Sequence, residues 1–243
     1  MQVGSPSTTK LRSAQAEEAR ARIVDLNPPA YKVRLSMKRL IIIITLCCWV
    51  SLTTLQAQPA TKPAAANPAL RQELLTRVQR DQAIRNELIS KGIQHPDKAI
   101  VARMQSVDAE NTEWMKEILR QHGWPGPDLV GEDGTEAAFM LIQHADLGFQ
   151  KQVLPLVRKA YQAHKLSGQN YALLLDRVLV GEGKPQMYGT QAKPVDLWKG
   201  HEPVLQPIED EANVDKRRAE VGLAPLADYL KFLKEMYFPK DKP

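Results

Sequence analysis

The first long pattern in the chain is helical. From Pro68 onward, Leu70, Leu74, Val78, Ile84 and Leu88 fall on one stripe at about 100° per residue. Asn67-Pro68 supplies a cap and then a proline at the first helical position, and Gly92 supplies a stop, so the spacing predicts a helix over 68–91. A second stripe, Ile100, Met104, Val107, Met115 and Ile118, predicts a helix over 96–121 that ends at Gly123. An antiparallel hairpin turning near Gln94 brings position 81 level with 107, and 77 level with 111. Arg77, Asp81, Asp108 and Asn111 then share one layer on faces that are otherwise apolar. Such a layer reads as a polar network that sets the register of the hairpin.

Trp124-Pro125-Gly126-Pro127 reads as a rigid loop. Six consecutive apolar residues, Ala137 to Ile142, predict a helix buried on nearly all sides, with Glu132, Glu136 and Gln143 as its polar stripe and His144 at the flank. Asp146 caps a helix over about 147–163 that contains Pro155, and Ser167 caps another over 168–180. Asp176 and Arg177 are the only charges in that last helix. After Gly181 and Gly183, Gln186–Gln191 alternates like a short strand, with 195–198 and 202–208 as candidate partners. Two short helices, about 213–221 and from Pro225 onward, close the chain. The expected fold is mainly α: an irregular bundle of five to seven helices with a small β hairpin or ribbon near residues 185–208. A single domain is expected over 68–238.

Composition adds a location. The chain has 243 residues and a formal net charge of +5, and residues 1–57 hold eight basic and three acidic residues, which accounts for all of it. The balance over 58–243 is zero, so no net positive charge drives phosphate binding and no nucleic-acid partner is expected. Met37-Lys38-Arg39 opens an apolar run from Leu40 to Leu55, followed by Ala57 and then Gln58-Pro59. These are the parts of a secretory signal peptide over 37–57, and the run is shorter than the ~20 residues of a spanning helix. The expectation is export to the periplasm or the medium, with no stable membrane span after cleavage. An uncleaved anchor is the alternative. Residues 58–67 read as a Pro/Ala-rich tether, and residues 1–36 as a mis-called upstream extension. Cys47 and Cys48 both lie in the apolar run, so the mature chain holds no thiol for a disulfide, a nucleophile or a zinc ligand.

The five histidines show no metal-ligand spacing, and Gly181-Glu-Gly183-Lys184 is followed by proline where a phosphate loop needs Ser or Thr. No metal or cofactor is expected. The candidate chemistry is a constellation of polar groups on apolar helices. Glu136 or Asp176 stands as general base and His144 as acid or shuttle. Gln143, Gln186, Tyr188, Gln191 and Trp124 stand as ligand contacts around a pocket. Structural readings compete with each of these. Asp176 could pair with an arginine such as Arg71, Arg77 or Arg85, His144 could bond a free helix carbonyl, and Glu136 could complement a helix start.

Gly123-Trp-Pro-Gly, Gly131-Glu-Asp-Gly, Gln143-His-Ala-Asp146, Asp176-Arg177, Gly183-Lys-Pro-Gln-Met-Tyr-Gly-Thr-Gln191 and Pro207-Ile-Glu-Asp210 together resemble a bacterial domain of unknown function, number 6624, over roughly residues 70–235. The resemblance implies no established activity, substrate or cofactor. It implies that these polar blocks belong to the family, which favours a functional site over scattered pairs. The expected function is an exported domain that binds a small polar ligand, with metal-independent hydrolysis as its catalytic form. The alternative is a non-catalytic binding or protein-interaction module of the cell envelope.

Translation from Met37 makes a prediction. Peptide mass spectrometry of cells making the protein is expected to find no peptide from residues 1–36, and any such peptide would overturn the reading of that segment.

Overall fold

A computed structural model describes residues 65–91, 96–193 and 202–238. The leader, Gly92, His95, His201 and the segment 195–198 with Trp198 lie outside the described residues. Seven α-helices are described: α1 (Pro68–Lys91), α2 (Lys98–His122), α3 (Pro127–Gln143), α4 (Leu147–Gln162), α5 (Gly168–Gly181), α6 (Val214–Glu220) and α7 (Leu226–Tyr237), with a 3₁₀ turn at Glu211–Asn213 before α6. The mainly helical expectation is met, and so are most of the caps. The Asn67 side chain accepts the Leu70 N–H at 2.9 Å, Asp146 accepts that of Phe149 at 3.0 Å, and Ser167 accepts that of Asn170 at 3.1 Å.

Gly123 ends α2 with φ 67°, a conformation that only glycine adopts freely. The loop read into Trp124–Pro127 is shorter than expected, because Pro127 already occupies the first turn of α3, where its missing N–H has no bond to lose. The helix breaks at Gly131 (φ 73°, ψ 170°) and restarts. The Thr135 hydroxyl fills the break by reaching the carbonyls of Pro125 (3.0 Å) and Gly131 (2.9 Å).

Cross-helix contacts fix the directions of the first three helices. The N–H groups of Ala66 and Asn67 bond the carbonyls of Asp128 and Leu129, Arg71 pairs with Asp133, and Asp81 meets His144. These contacts advance in step, so α1 and α3 run parallel. Arg77 bonds Asn111, Arg80 pairs with Glu110, Arg85 with Asp108, and Arg103 with Glu87. That order is reversed, so α2 is antiparallel to α1, the arrangement that puts Arg77, Asp81, Asp108 and Asn111 in one layer. On the other side of α3, Asn170 bonds Glu136 and Arg177 bonds the Gln143 carbonyl. The main core lies among these helices, around Leu74, Met115, Val130, Ala138, Ile142, Val157 and Leu174. A smaller apolar cluster of Leu88, Ile100 and Met104 fills the far end of the hairpin.

The β hairpin or ribbon near 185–208 is not found. Among the described residues there is no strand, only two isolated bridges, Gln186 with Ile208 and Ala192 with Leu205. Backbone bonds to 206–209 stop at Gln186 and Gln191, and the groups between them are taken by side chains. The carboxylate of Asp176 accepts the N–H groups of Met187 (2.7 Å), Tyr188 (3.0 Å) and Thr190 (3.0 Å), and the Thr190 hydroxyl at 2.9 Å. On the other side, Arg217 donates to the Met187 carbonyl, Arg218 to those of Tyr188 and Gly189, and the Tyr229 hydroxyl to that of Thr190. Gly189, at φ 66°, turns the chain between these two sets of partners. Alternating polar residues here mark a clamped loop instead of a sheet face.

Asp176→Asn tests the clamp. Asparagine keeps one oxygen and turns an amide NH2 towards backbone N–H groups that can only donate, and each orphaned donor costs about 1–3 kcal/mol. Chemical denaturation is expected to show a loss of more than about 2 kcal/mol, with faster hydrogen exchange at Met187, Tyr188 and Thr190. Unchanged stability would mean the loop is held by its arginines alone.

Candidate functional site

The layer read into the hairpin exists, and it is larger than the stripes suggest. Asp81 is fully buried, and its neighbours Arg85, Asp108, Asn111 and His144 are each at least nine-tenths buried. Arg85, four residues after Asp81 on α1, lies between two carboxylates. Its Nη1 is 2.9 Å from Asp81 Oδ1, and its Nη2 donates to Asp108 at 3.0 and 3.1 Å. Arg77 completes the layer on the α2 side by donating to Asn111 Oδ1 at 3.1 Å, with its guanidinium 4.4 Å from the centre of the Trp114 ring.

His144 enters this layer from the C-terminal end of α3. Its Nδ1 lies 2.9 Å from Asp81 Oδ2, which also accepts from the Gln82 side chain at 2.8 Å. A carboxylate can only accept, so Nδ1 carries the hydrogen and Nε2 holds the lone pair of the neutral ring. Burial pushes the Asp81 carboxyl up, but the hydrogen bond from His144 and the nearby Arg85 outweigh it and hold it below the ordinary carboxylate range. The Asp108 carboxyl moves the other way. Burial dominates there, Asp81 adds repulsion, and the pull of Arg85 does not cancel them.

The end of α3 is closed by a side chain from α4. The buried amide of Gln150 donates to the carbonyls of Gln143 (2.8 Å), Ala145 (3.1 Å) and Ile142 (3.3 Å), which a helix end would otherwise leave without partners. Arg177 adds a second donor to the Gln143 carbonyl at 2.9 Å. The Gln143 side chain is different. It is 5% exposed, and neither its Oε1 nor its Nε2 has a hydrogen-bond partner among the described residues. The Nδ2 of Asn111 is likewise buried without one.

The residues proposed from sequence fall into separate groups. Gln143 and His144 adjoin at the end of α3, and Arg177 links them to the helix that carries Asp176. Asp176 itself faces the clamped loop, and its bonds run to that loop where the sequence suggested an arginine. Burial raises its carboxyl above the ordinary range, against the pull of the Thr190, Tyr188 and Met187 N–H groups. Gln186 is fully buried, and its amide closes the same loop on itself through the Gln191 and Gln206 carbonyls and the Gln191 N–H. The Gln191 amide bonds Thr190 Oγ1 at 3.0 Å. Tyr188 is half-buried, with its hydroxyl pushed up to about 12 by burial. Glu136 lies two turns before Gln143 on α3 and accepts from Asn170 at 2.7 Å. Trp124 precedes α3 and reaches the Lys165 carbonyl, at the opposite end of that helix from His144.

Glu136, His144 and Asp176 therefore bond three different sets of partners. The partner of His144 is Asp81, a residue whose place in the hairpin layer was legible but whose pairing with α3 was not. Arg85, on the same stripe four residues after Asp81, was the available signal that this layer holds a full ion pair.

The fold and this layer define a class: a small helical bundle whose third helix ends in a buried imidazole–carboxylate pair. Within that class, the chain belongs to a family of unknown function (DUF6624), whose match spans residues 68–242. No curated protein and no solved structure matches it.

Arg85→Met tests the layer. Removing the guanidinium leaves Asp81 and Asp108 buried together, and losing one partner of a buried ion pair costs about 3–5 kcal/mol. Arg85 pulls both carboxyls down against burial, so without it both rise, and the variant loses stability as pH climbs through those raised values while protonation at low pH relieves it. The deficit of Arg85→Met against the wild type is therefore expected to be smaller at acidic pH than at neutral pH in urea titrations. An equal deficit at both would contradict this account of Asp108.

Proposed function

We propose that the protein binds a small polar ligand at the C-terminal end of α3, and that His144 acts there as a general base with hydrolysis as the reaction class. One observation carries the reading: the fully buried Asp81 orients the His144 ring through Nδ1, which leaves the lone pair of Nε2 for a ligand. In the proposed step Nε2 takes a proton from a water molecule as the water oxygen attacks the ligand's electrophilic centre. The proton then passes to the leaving group as its bond breaks, and the ring is neutral again. While the ring holds the proton, Asp81 and Asp108 face the Arg85 guanidinium and an imidazolium, and Arg77 has its own carboxylate partner in Glu73. Asp81 is a positioning residue in this scheme. Export through the segment 37–57 would place the reaction in the periplasm or outside the cell.

A second reading, a binding or interaction module of the cell envelope, is favoured by a different observation. Glu136 and Asp176, the other two acid–base candidates, have hydrogen-bond partners in Asn170 and in the loop 187–190. Both readings use the same end of α3.

The test is a thermal-shift screen of the full chain against nucleotides, sugars, cell-wall fragments and divalent metals, with His144→Gln alongside. A ligand at a hundredfold excess over Kd raises stability by about 2.7 kcal/mol. The expected result is a hit that the wild type converts to a product seen by NMR and that folded His144→Gln leaves intact. A hit that stays unchanged on the wild type would support the binding module. A hit that both proteins bind and convert alike would overturn the role of His144.

A further inference from the structure

We propose that Gln143 is the recognition residue of this site and that it reads a planar amide edge in the ligand, an N–H beside a C=O. The inference rests on the proposed site at the end of α3 and adds the chemical class of what enters it. Gln143 is at least nine-tenths buried, and among the described residues no other side chain has both a buried donor and a buried acceptor without a hydrogen bond. Buried polar atoms are nearly always satisfied, so an amide orphaned at both ends calls for a missing partner.

The backbone beneath it is held still. Gln150 and Arg177 both bond the Gln143 carbonyl, and Gln150 also secures the carbonyls of Ile142 and Ala145. The next residue, His144, is fixed by Asp81. An unpartnered amide on a rigid support, one residue before an oriented imidazole in the chain, is what a preorganised polar contact requires.

The chemistry of the amide selects the ligand. A carboxamide offers an acceptor and donors side by side in one plane. A carboxylate or phosphate would satisfy Nε2 only and would bring a negative charge towards Oε1. An ammonium group would satisfy Oε1 and face the donors of Nε2. A ligand edge with N–H next to C=O pairs with both at once. Simple carboxamides, lactams and the imide edge of a pyrimidine share that edge. The orphan donor of Asn111, on the helix that carries Asp108, is of the kind that would suit a second ligand oxygen.

The experiment uses the full chain with 2-pyrrolidinone, acetamide and uracil at millimolar concentration, read by saturation-transfer NMR and thermal shift, against acetate and methylammonium as size-matched controls. The three amides distinguish a lactam, an open carboxamide and a nucleobase edge as the natural source. Binding of at least one amide is expected, with neither charged control bound. Gln143→Met keeps the shape of the side chain without its polar end, and is expected to weaken that binding by at least about tenfold with no fall in Tm. Gln143→Glu, which keeps acceptors and loses the donors, is expected to lose it as well.

Absence of amide binding to the wild type, acetate binding as well as the amides, or unchanged amide binding in both variants would each overturn the proposal. A higher Tm for Gln143→Met without any amide binding to the wild type would overturn it too, and would mean a buried water or nothing at all fills the site. The outcomes also separate this inference from the one beneath it. A ligand that needs His144 but not Gln143 would leave the site standing and remove the amide reading. Amide binding that needs Gln143, beside a His144→Gln protein with full activity on a ligand from the screen, would do the reverse.

Discussion

Arg85 has to be kept between Asp81 and Asp108, and the way the first three helices meet follows from that. A guanidinium out of contact with water needs its counter-charges at hydrogen-bond distance, and they come from α1 itself and from α2. The layer lies between two apolar clusters, one around Leu74 and Met115 and one around Leu88 and Ile100. Apolar contacts are non-directional and tolerate sliding, whereas a shift of one turn in the hairpin would strand a buried charge. His144 extends the same constraint to α3, since Asp81 Oδ2 is shared between the imidazole and the Gln82 amide. The network therefore specifies register more than it adds stability.

A second constraint of the same kind holds the other half of the domain. Between the backbone bonds that Gln186 and Gln191 make to 206–209, the segment 187–190 has donors and acceptors that no sheet satisfies. The protein divides them between opposite charges, with N–H groups turned to the Asp176 carboxylate and carbonyls turned to Arg217 and Arg218. The loop thereby ties α5, α6 and, through Tyr229, α7 together. Gln186 closes the loop on itself with its own amide. A carboxylate that serves as the hub of four donors is explained by its structural work.

These two clamps account for most of the buried polar groups, and the groups they leave over gain weight from that. In a domain where Asp176, Gln186, Thr190, Gln150 and Arg218 all find partners, an amide at Gln143 with none stands out. Gln143 precedes His144 of the first clamp in the chain, and its backbone carbonyl accepts from Arg177, the neighbour of Asp176. Both proposals use this position because its polar groups are not accounted for by folding.

The sequence by itself determined the local elements and one long-range feature. Caps at Asn67, Asp146 and Ser167, the stop at Gly123 and the stripes of α1 and α2 are written in short-range chemistry, so they were legible. Both hairpin stripes have the same period, so once the two helices are folded back on each other near Gln94 the layer of Arg77, Asp81, Asp108 and Asn111 follows. Tertiary structure decided the rest. His144 and Asp81 are 63 residues apart, and whether α3 runs parallel to α1 depends on how three helices pack, which periodicity does not encode. The segment 186–191 alternates as a strand would, but alternation records only which residues are polar. Whether the backbone bonds a neighbouring strand or a buried carboxylate depends on what lies beside it, and here the fold places Asp176 there first.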